Sequence, residues 1–314
     1  MLQPISETGV PQGLLDDRNK VPSAHGEFSD HELDRPVFVT GTPRCGKSLI
    51  ARALGHSPEF LWLQEPVTIW DTDFQGRVDD RRLANDQTST THPTIRKLCQ
   101  KAVESEGKRR YVDDLAYHCL RLPFLNQAVA DKRIIHVVRS GELSIPEMLY
   151  GWTHRGNLLK SAATRSRQIH WRTFPGLAKR FLKNHFSALL FGRRVTWGPR
   201  VPGLAAFSKS HSAAEVAAYQ WRSLVETALD DLESIPRHQW MQVRFEDLLA
   251  DPTSVVRRIA EFCEAEDPRS MIEHARTTIN GNYDFPKRVA IGDREWASIR
   301  GDIAPIMKRL GYWN

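Results

Sequence analysis

The sequence predicts an α/β protein in which helices cover both faces of a central parallel sheet, giving three layers. Short apolar runs of strand length alternate with longer segments of helical periodicity, which is the pattern of repeated βαβ units. The first apolar run leads through a glycine-bounded loop into a helix, the geometry of an anion-binding turn. With 314 residues, 40% of them hydrophobic, the chain can hold one large or two ordinary domains.

The N-terminal region differs in composition from the rest of the chain. Residues 1–34 are polar, contain three prolines and show no sustained periodicity, so we expect a flexible tail before a main domain at 35–314. The tail lacks the features of a secretory signal, and no apolar run is long enough to span a membrane. The four cysteines are scattered without C-x-x-C spacing, which argues against a zinc site or a disulfide framework and favours a cytoplasmic location.

The glycine-bounded loop carries the most specific motif of the chain. The apolar run Val37–Val39 predicts a buried strand, the residues Gly41–Ser48 spell G-x-x-x-x-G-K-S, and a helical pattern continues to Leu54. Glycines allow the backbone N–H groups to approach an oxyanion, and the start of a helix adds partial positive charge. We therefore expect an anion to be bound by Thr42, Pro43, Arg44, Cys45, Gly46, Lys47 and Ser48.

Further strands and helices follow in alternation. The predicted strands are Phe60–Leu63, Arg110–Ala116, Arg133–Val138 and Gln239–Phe245. The predicted helices are Thr94–Glu106, Leu120–Ala130, Leu143–Trp152, Ala213–Ser234, Pro252–Glu264 and Asp293–Leu310. Ligands of open α/β sheets bind at the carboxyl ends of the strands, and polar side chains stand there. These are Glu65, Asp113, Asp114 and Arg139.

A basic segment interrupts this alternation, and we interpret residues 153–212 as a helical insertion. No Asp or Glu occurs between Met148 and Ala214, whereas this segment contains twelve Lys or Arg. Because the net charge of the whole chain is +6, the remainder of the chain has a net charge of −6. The segment Phe174–Phe191 predicts an amphipathic helix. The insertion could be a lid over donor and acceptor, an anionic-acceptor site, a membrane-surface patch or a solvated basic face. Its aromatic residues follow helical spacing, so we expect no nucleic-acid binding.

Several motifs in order resemble one family. Besides the loop, they are Glu65-Pro66, Arg133–Arg139, Trp197–Gly203, Tyr219–Trp221, Val243–Leu249 with Asp251-Pro252, and Leu310–Tyr312. Together they resemble the sulfotransferases that use 3′-phosphoadenosine 5′-phosphosulfate (PAPS), particularly the bacterial branch, over Arg35–Asn314. The resemblance implies a fold like that of P-loop NTPases, PAPS as the donor, and a hydroxyl or amine of a small molecule, glycan or lipid as the acceptor.

The resemblance also implies roles for individual residues, with departures. Arg44 falls on the family's catalytic lysine, and Arg139 on the arginine that binds the 3′-phosphate. Lys47 replaces a threonine of the family loop. Glu147 stands where the family has a phosphate-binding serine eight positions after the arginine. The groups that could compensate for it are Ser140, Ser144, Lys287 and Arg288.

The chemistry assigns tasks to these side chains and leaves alternatives open. Arg44 and Lys47 can neutralise charge on the leaving group, so no metal is expected. Glu65 is our candidate general base, with His118 and Asp113 as rivals. A P-loop kinase is the alternative enzyme, with Asp113 or Asp114 binding magnesium. A catalytically silent nucleotide- or anion-binding protein is the third hypothesis.

Overall fold

Five strands form one parallel sheet. A computed structural model of the protein describes residues 34–71, 77–86, 88–153, 198–279 and 287–314. The strands are β1 (Val37–Gly41), β2 (Phe60–Leu63), β3 (Arg110–Asp113), β4 (Arg133–Val138) and β5 (Trp240–Arg244). Their order is β2-β3-β1-β4-β5, and every neighbouring pair is parallel. The predicted α/β class with a central parallel sheet is thereby confirmed.

Helices cover both faces of the sheet. In chain order they are α1 (Lys47–Leu54), α2 (Val67–Trp70), α3 (Thr91–Ser105), α4 (Leu122–Ala128), α5 (Gly141–Thr153), α6 (Leu204–Phe207), α7 (Ala213–Leu232), α8 (Phe245–Ala250), α9 (Pro252–Phe262), α10 (Arg269–Thr278) and α11 (Asp293–Arg309). None of these helices combines the length and apolar character that a membrane span requires.

Two apolar cores lie on opposite sides of the sheet, because successive strand side chains point to opposite faces. Phe38 and Ile134 pack with α3, α5, α7 and α11 on one side. Val39 and Ile135 pack with α1, α9 and α10 on the other. Buried apolar side chains on both faces explain why these strands read as continuous apolar runs.

The structure corrects several element boundaries. β3 ends at Asp113 rather than Ala116, because the Asp113 carboxylate accepts the backbone N–H of Leu115 at 2.8 Å and turns the chain into a 3₁₀ helix at Ala116–Leu120. Phe245 begins helix α8 instead of ending β5. The short helices α2, α6, α8 and α10 were not expected from the sequence.

Two expectations fall mainly outside the described residues. Only Asp34 of the predicted tail at 1–34 is described. Of the insertion at 153–212, the structure describes Thr153 and the segment from Gly198 onward, and the predicted helix Phe174–Phe191 is outside the described ranges. The described end of the insertion is anchored to the domain: the Arg200 guanidinium pairs with Asp80 at 2.7 Å, and Gln220 Nε2 donates to the Pro199 carbonyl at 2.7 Å.

Candidate active site

The loop between β1 and α1 has three residues with positive φ. Gly41 has φ 153°, Arg44 φ 70° and Gly46 φ 87°. A Cβ on Gly46 would lie 2.2 Å from the Phe245 ring, and one on Gly41 would lie 2.4 Å from the Val137 carbonyl oxygen. Both glycines are therefore required by close packing as well as by conformation. The loop turns into the N-terminus of α1, as an anion-binding loop does.

Lys47 places a buried ammonium group at the base of this loop. Its side chain is 7% exposed, and its Nζ lies 3.9 Å from Glu65 Oε1. Burial acts to lower the pKa of Lys47, but the charges of Glu65 and Asp114 outweigh it and the pKa is raised. The site therefore holds a permanent cation beside the loop.

Glu65 follows β2 in a left-handed conformation, with φ 43°, which is uncommon for a residue other than glycine. Its side chain is half-buried, at 34% exposure. Its backbone N–H donates to Asp114 Oδ1 at 2.8 Å, while Ser48 Oγ donates to Asp114 Oδ2 at 2.7 Å. The fully buried Asp114 carboxylate thus connects Ser48, at the end of the loop motif, to Glu65, the predicted general base. The sequence did not indicate this bridging role.

Arg44 is the exposed residue of the 41–48 loop motif. A Cβ on Gly151 of α5 would lie 3.3 Å from Arg44 Nη2, so the guanidinium lies against this glycine. Pro43 contacts the described end of the insertion, because a Cβ on Gly198 would lie 3.2 Å from Pro43 Cγ. Thr42 and Cys45 are buried, and burial raises the pKa of the Cys45 thiol.

Arg139 has partners that differ from the predicted ones. Its guanidinium is fully buried and forms two parallel bonds to the Glu147 carboxylate, from Nη1 at 2.7 Å and from Nη2 at 2.8 Å. Nη1 also donates to the Arg44 carbonyl at 2.7 Å. The sequence predicts Arg139 as a 3′-phosphate ligand, whereas in the structure its side chain is covered by protein and contacts the loop through the Arg44 carbonyl.

The rival bases are buried as well. His118 and Asp113 are each 0% exposed, and His118 Nε2 lies 3.1 Å from Asp113 Oδ2. Asp113 also accepts the Trp70 indole N–H at 2.6 Å. Asp113 and His118 therefore lie in the core, whereas the neighbouring Asp114 contacts Ser48 at the end of the loop.

The remaining predicted ligands are divided between core and surface. Ser144 is fully buried within α5, and its hydroxyl has no hydrogen-bond partner among the described residues. Ser140 is buried, and its backbone N–H donates to Glu246. Lys287 and Arg288 are both exposed. The next residue, Val289, donates its N–H to the Pro146 carbonyl at 3.2 Å, which places this basic pair beside α5.

Comparison with known proteins gives one family match. Residues 201–269 match the model of the sulfotransferase family. This segment contains β5, α7, α8 and α9. It includes Tyr219–Trp221 and Val243–Leu249, two of the motifs that resemble sulfotransferases. The predicted resemblance to sulfotransferases is therefore confirmed for this part of the chain. A search of curated protein sequences finds no significant match.

Solved structures of sulfotransferases are distantly similar. STF9 from Mycobacterium avium is 15% identical, with a TM-score of 0.47, over 89% of this chain and 78% of that one. A sulfotransferase from Alicyclobacillus acidocaldarius is 17% identical, with a TM-score of 0.43, over 88% and 94%. Mouse SULT7A1, solved in complex with PAP, is 14% identical, with a TM-score of 0.41, over 83% and 69%.

Proposed function

We propose that this chain is a sulfotransferase that moves a sulfuryl group from PAPS to a hydroxyl or amine of an acceptor. The observation that carries the proposal is the family match at residues 201–269. The matched segment includes Phe245, whose ring lies against Gly46 of the phosphate loop. The region that matches the family therefore also supports the loop that would bind the donor.

The residues at the loop fit the phosphosulfate end of this donor. Lys47 supplies a buried positive charge, Arg44 an exposed one, and the turn into α1 supplies backbone N–H groups. When bound, the donor supplies an activated sulfuryl group on an anionic leaving group. For the 3′-phosphate we propose Lys287 and Arg288, because both are exposed and Val289 joins their segment to α5.

Glu65 is proposed as the general base. Asp114 fixes its backbone at 2.8 Å, and its half-exposed carboxylate lies beside the Lys47 ammonium. Glu65 would take the proton of the acceptor as the acceptor's oxygen or nitrogen forms its bond to sulfur. The bond from sulfur to the bridging oxygen breaks, and its electron pair stays on that oxygen, where Lys47 and Arg44 balance the charge.

The first experiment separates donor binding from catalysis. We expect adenosine 3′,5′-bisphosphate to raise the melting temperature in EDTA, because a nucleotide that binds only the native state stabilises it. Glu65→Gln should retain this shift and lose transfer roughly a hundredfold, the lower range for a general base. Glu273→Gln, an exposed acid on α10, is the matched control and should change neither quantity.

One observation favours a second candidate, a P-loop kinase. Ser48 and Asp114 lie 2.7 Å apart, and this pairing of a loop hydroxyl with an acid at a strand end suits a hydrated magnesium ion. The thermal-shift experiment decides between the two. Stabilisation by ATP that depends on magnesium, with no effect of the bisphosphate, would replace the sulfotransferase proposal with the kinase.

A further inference from the structure

A buried ion pair lies beside the anion loop, residues Gly41–Ser48. The Arg139 and Glu147 side chains are 0% and 3% exposed, and two parallel hydrogen bonds join them. Charge-assisted bidentate pairs of this kind fix geometry as well as charge. Because the guanidinium is already neutralised and covered by protein, it has no exposed face for an anion in this arrangement.

The same guanidinium reaches the backbone of the loop. Arg139 Nη1 donates to the Arg44 carbonyl at 2.7 Å, which holds the peptide that follows Arg44. Arg44 has φ 70°, a conformation that costs a non-glycine residue free energy and persists only where its surroundings enforce it. This hydrogen bond is a direct constraint on that peptide.

A second contact links Arg139 to the loop through Phe245. The Arg139 guanidinium lies 4.5 Å from the centre of the Phe245 ring, and that ring packs against Gly46. Arg139 therefore touches the loop at Arg44 directly and at Gly46 through Phe245. Glu147, on α5, fixes the guanidinium between these two contacts.

From these contacts we infer that Arg139 and Glu147 are positioning residues that set the conformation of the anion loop, and that neither binds the donor's 3′-phosphate. The inference rests on the proposed function only in naming a nucleotide. Specificity for the 3′-phosphate then comes from other cations, and Arg139 affects every anion bound at the loop equally.

The test uses a double variant, Arg139→Met with Glu147→Leu. Removing both partners together avoids a buried unpaired charge, so the variant is expected to fold. Affinities for adenosine 5′-monophosphate, adenosine 3′,5′-bisphosphate and inorganic pyrophosphate are measured by calorimetry. We expect all three to fall by a similar factor, roughly tenfold, as for loss of a hydrogen bond from a charged donor. The single variant Arg139→Lys keeps a positive charge and a hydrogen-bond donor beside Glu147, so it should bind the three anions more tightly than the double variant does.

Two further measurements separate positioning from general stability. Amide hydrogen exchange at residues 44–47 should accelerate in the double variant. Lys132→Met removes another buried cation, bonded to Asn126 and Gln239 beside the start of β4, and should change stability without changing any of the three affinities. Lys287→Met should lower affinity for the bisphosphate alone.

The outcomes distinguish this inference from the proposed function. A variant at Arg139 that weakened only the bisphosphate would identify Arg139 as a phosphate ligand and overturn the inference. Wild-type affinities and wild-type exchange in the double variant would also overturn it. If the wild type bound pyrophosphate but neither nucleotide, the proposed function would fail while the pyrophosphate series still tested the positioning role. Absence of binding by all three anions would overturn both.

Discussion

Two arginines beside one loop differ in almost every physical respect. Arg44 is exposed, has a left-handed backbone and lies against a glycine of α5. Arg139 is fully buried, bidentate with Glu147 and bonded to the Arg44 carbonyl. Both follow apolar strands and both were predicted to bind the donor. The difference shows that a position at a strand end brings a side chain near the ligand crevice, whereas its partners determine whether its charge faces that crevice.

The largest expected effect is on stability, and it comes from removing the carboxylate that pairs with the buried Arg139. Glu147→Ala leaves the Arg139 guanidinium without its carboxylate, and we expect the free energy of unfolding to fall by about 3–5 kcal/mol. Arg44→Ala removes an exposed side chain and should change it by less than about 1 kcal/mol. Urea denaturation of the two variants measures both values.

Transfer activity tests the exposed arginine of this comparison. Arg44→Ala is expected to lower kcat roughly a hundredfold, because the proposed mechanism uses the Arg44 charge to balance the leaving group and the variant should still fold. Wild-type stability of Glu147→Ala would contradict a supporting role for Arg139. Unchanged turnover in Arg44→Ala would contradict a catalytic role for Arg44.

Much of this region was predictable because the relevant signals are local. β1 and β4 are apolar runs buried on both faces, and the loop motif fixes where α1 begins. Asp113 and Asp114 were also located at a strand end from sequence. Which of the two faces the loop depends on the alternation of side chains at the exact end of β3, and the apolar pattern predicts a strand that continues to Ala116, beyond the observed end at Asp113.

The Arg139–Glu147 pair could not be derived from local pattern. It forms between a strand and the following helix, and the turn between them sets the direction of α5. The available signal was Glu147 itself, an acid where a phosphate-binding serine was expected. Charge complementarity between positions 139 and 147 would have suggested that this acid neutralises the arginine. The contact from Arg139 to the Arg44 carbonyl requires the folded backbone.

Strand β4, which leads to Arg139, also contains a buried histidine, His136. His136 is 1% exposed, and neither ring nitrogen has a hydrogen-bond partner among the described residues. Burial lowers its pKa to about 4, below the ordinary value of 6.5. The unfolded chain therefore binds the proton more readily, and stability contributed by the neutral ring is lost as the pH falls from about 6.5 towards 4.

The corresponding experiment compares the wild type with His136→Leu. Between pH 7 and pH 5 the wild type should lose about 2 kcal/mol more stability than the variant, from the single displaced titration. Denaturant unfolding at both pH values gives the difference. Parallel pH dependence in the two proteins would show that His136 is not the buried neutral group described above.

The smallest expected effect concerns the exposed arginine. Gly151→Ala should stabilise α5 by about 0.5–1 kcal/mol, because alanine favours helix more than glycine does. The new Cβ would lie 3.3 Å from Arg44 Nη2 and would shift the guanidinium slightly, so we expect kcat to fall about two- to fivefold. Gly301→Ala on α11, where nothing lies within 4 Å, is the control and should stabilise without changing kcat. Equal activity in both variants would mean that contact with α5 does not set the position of Arg44.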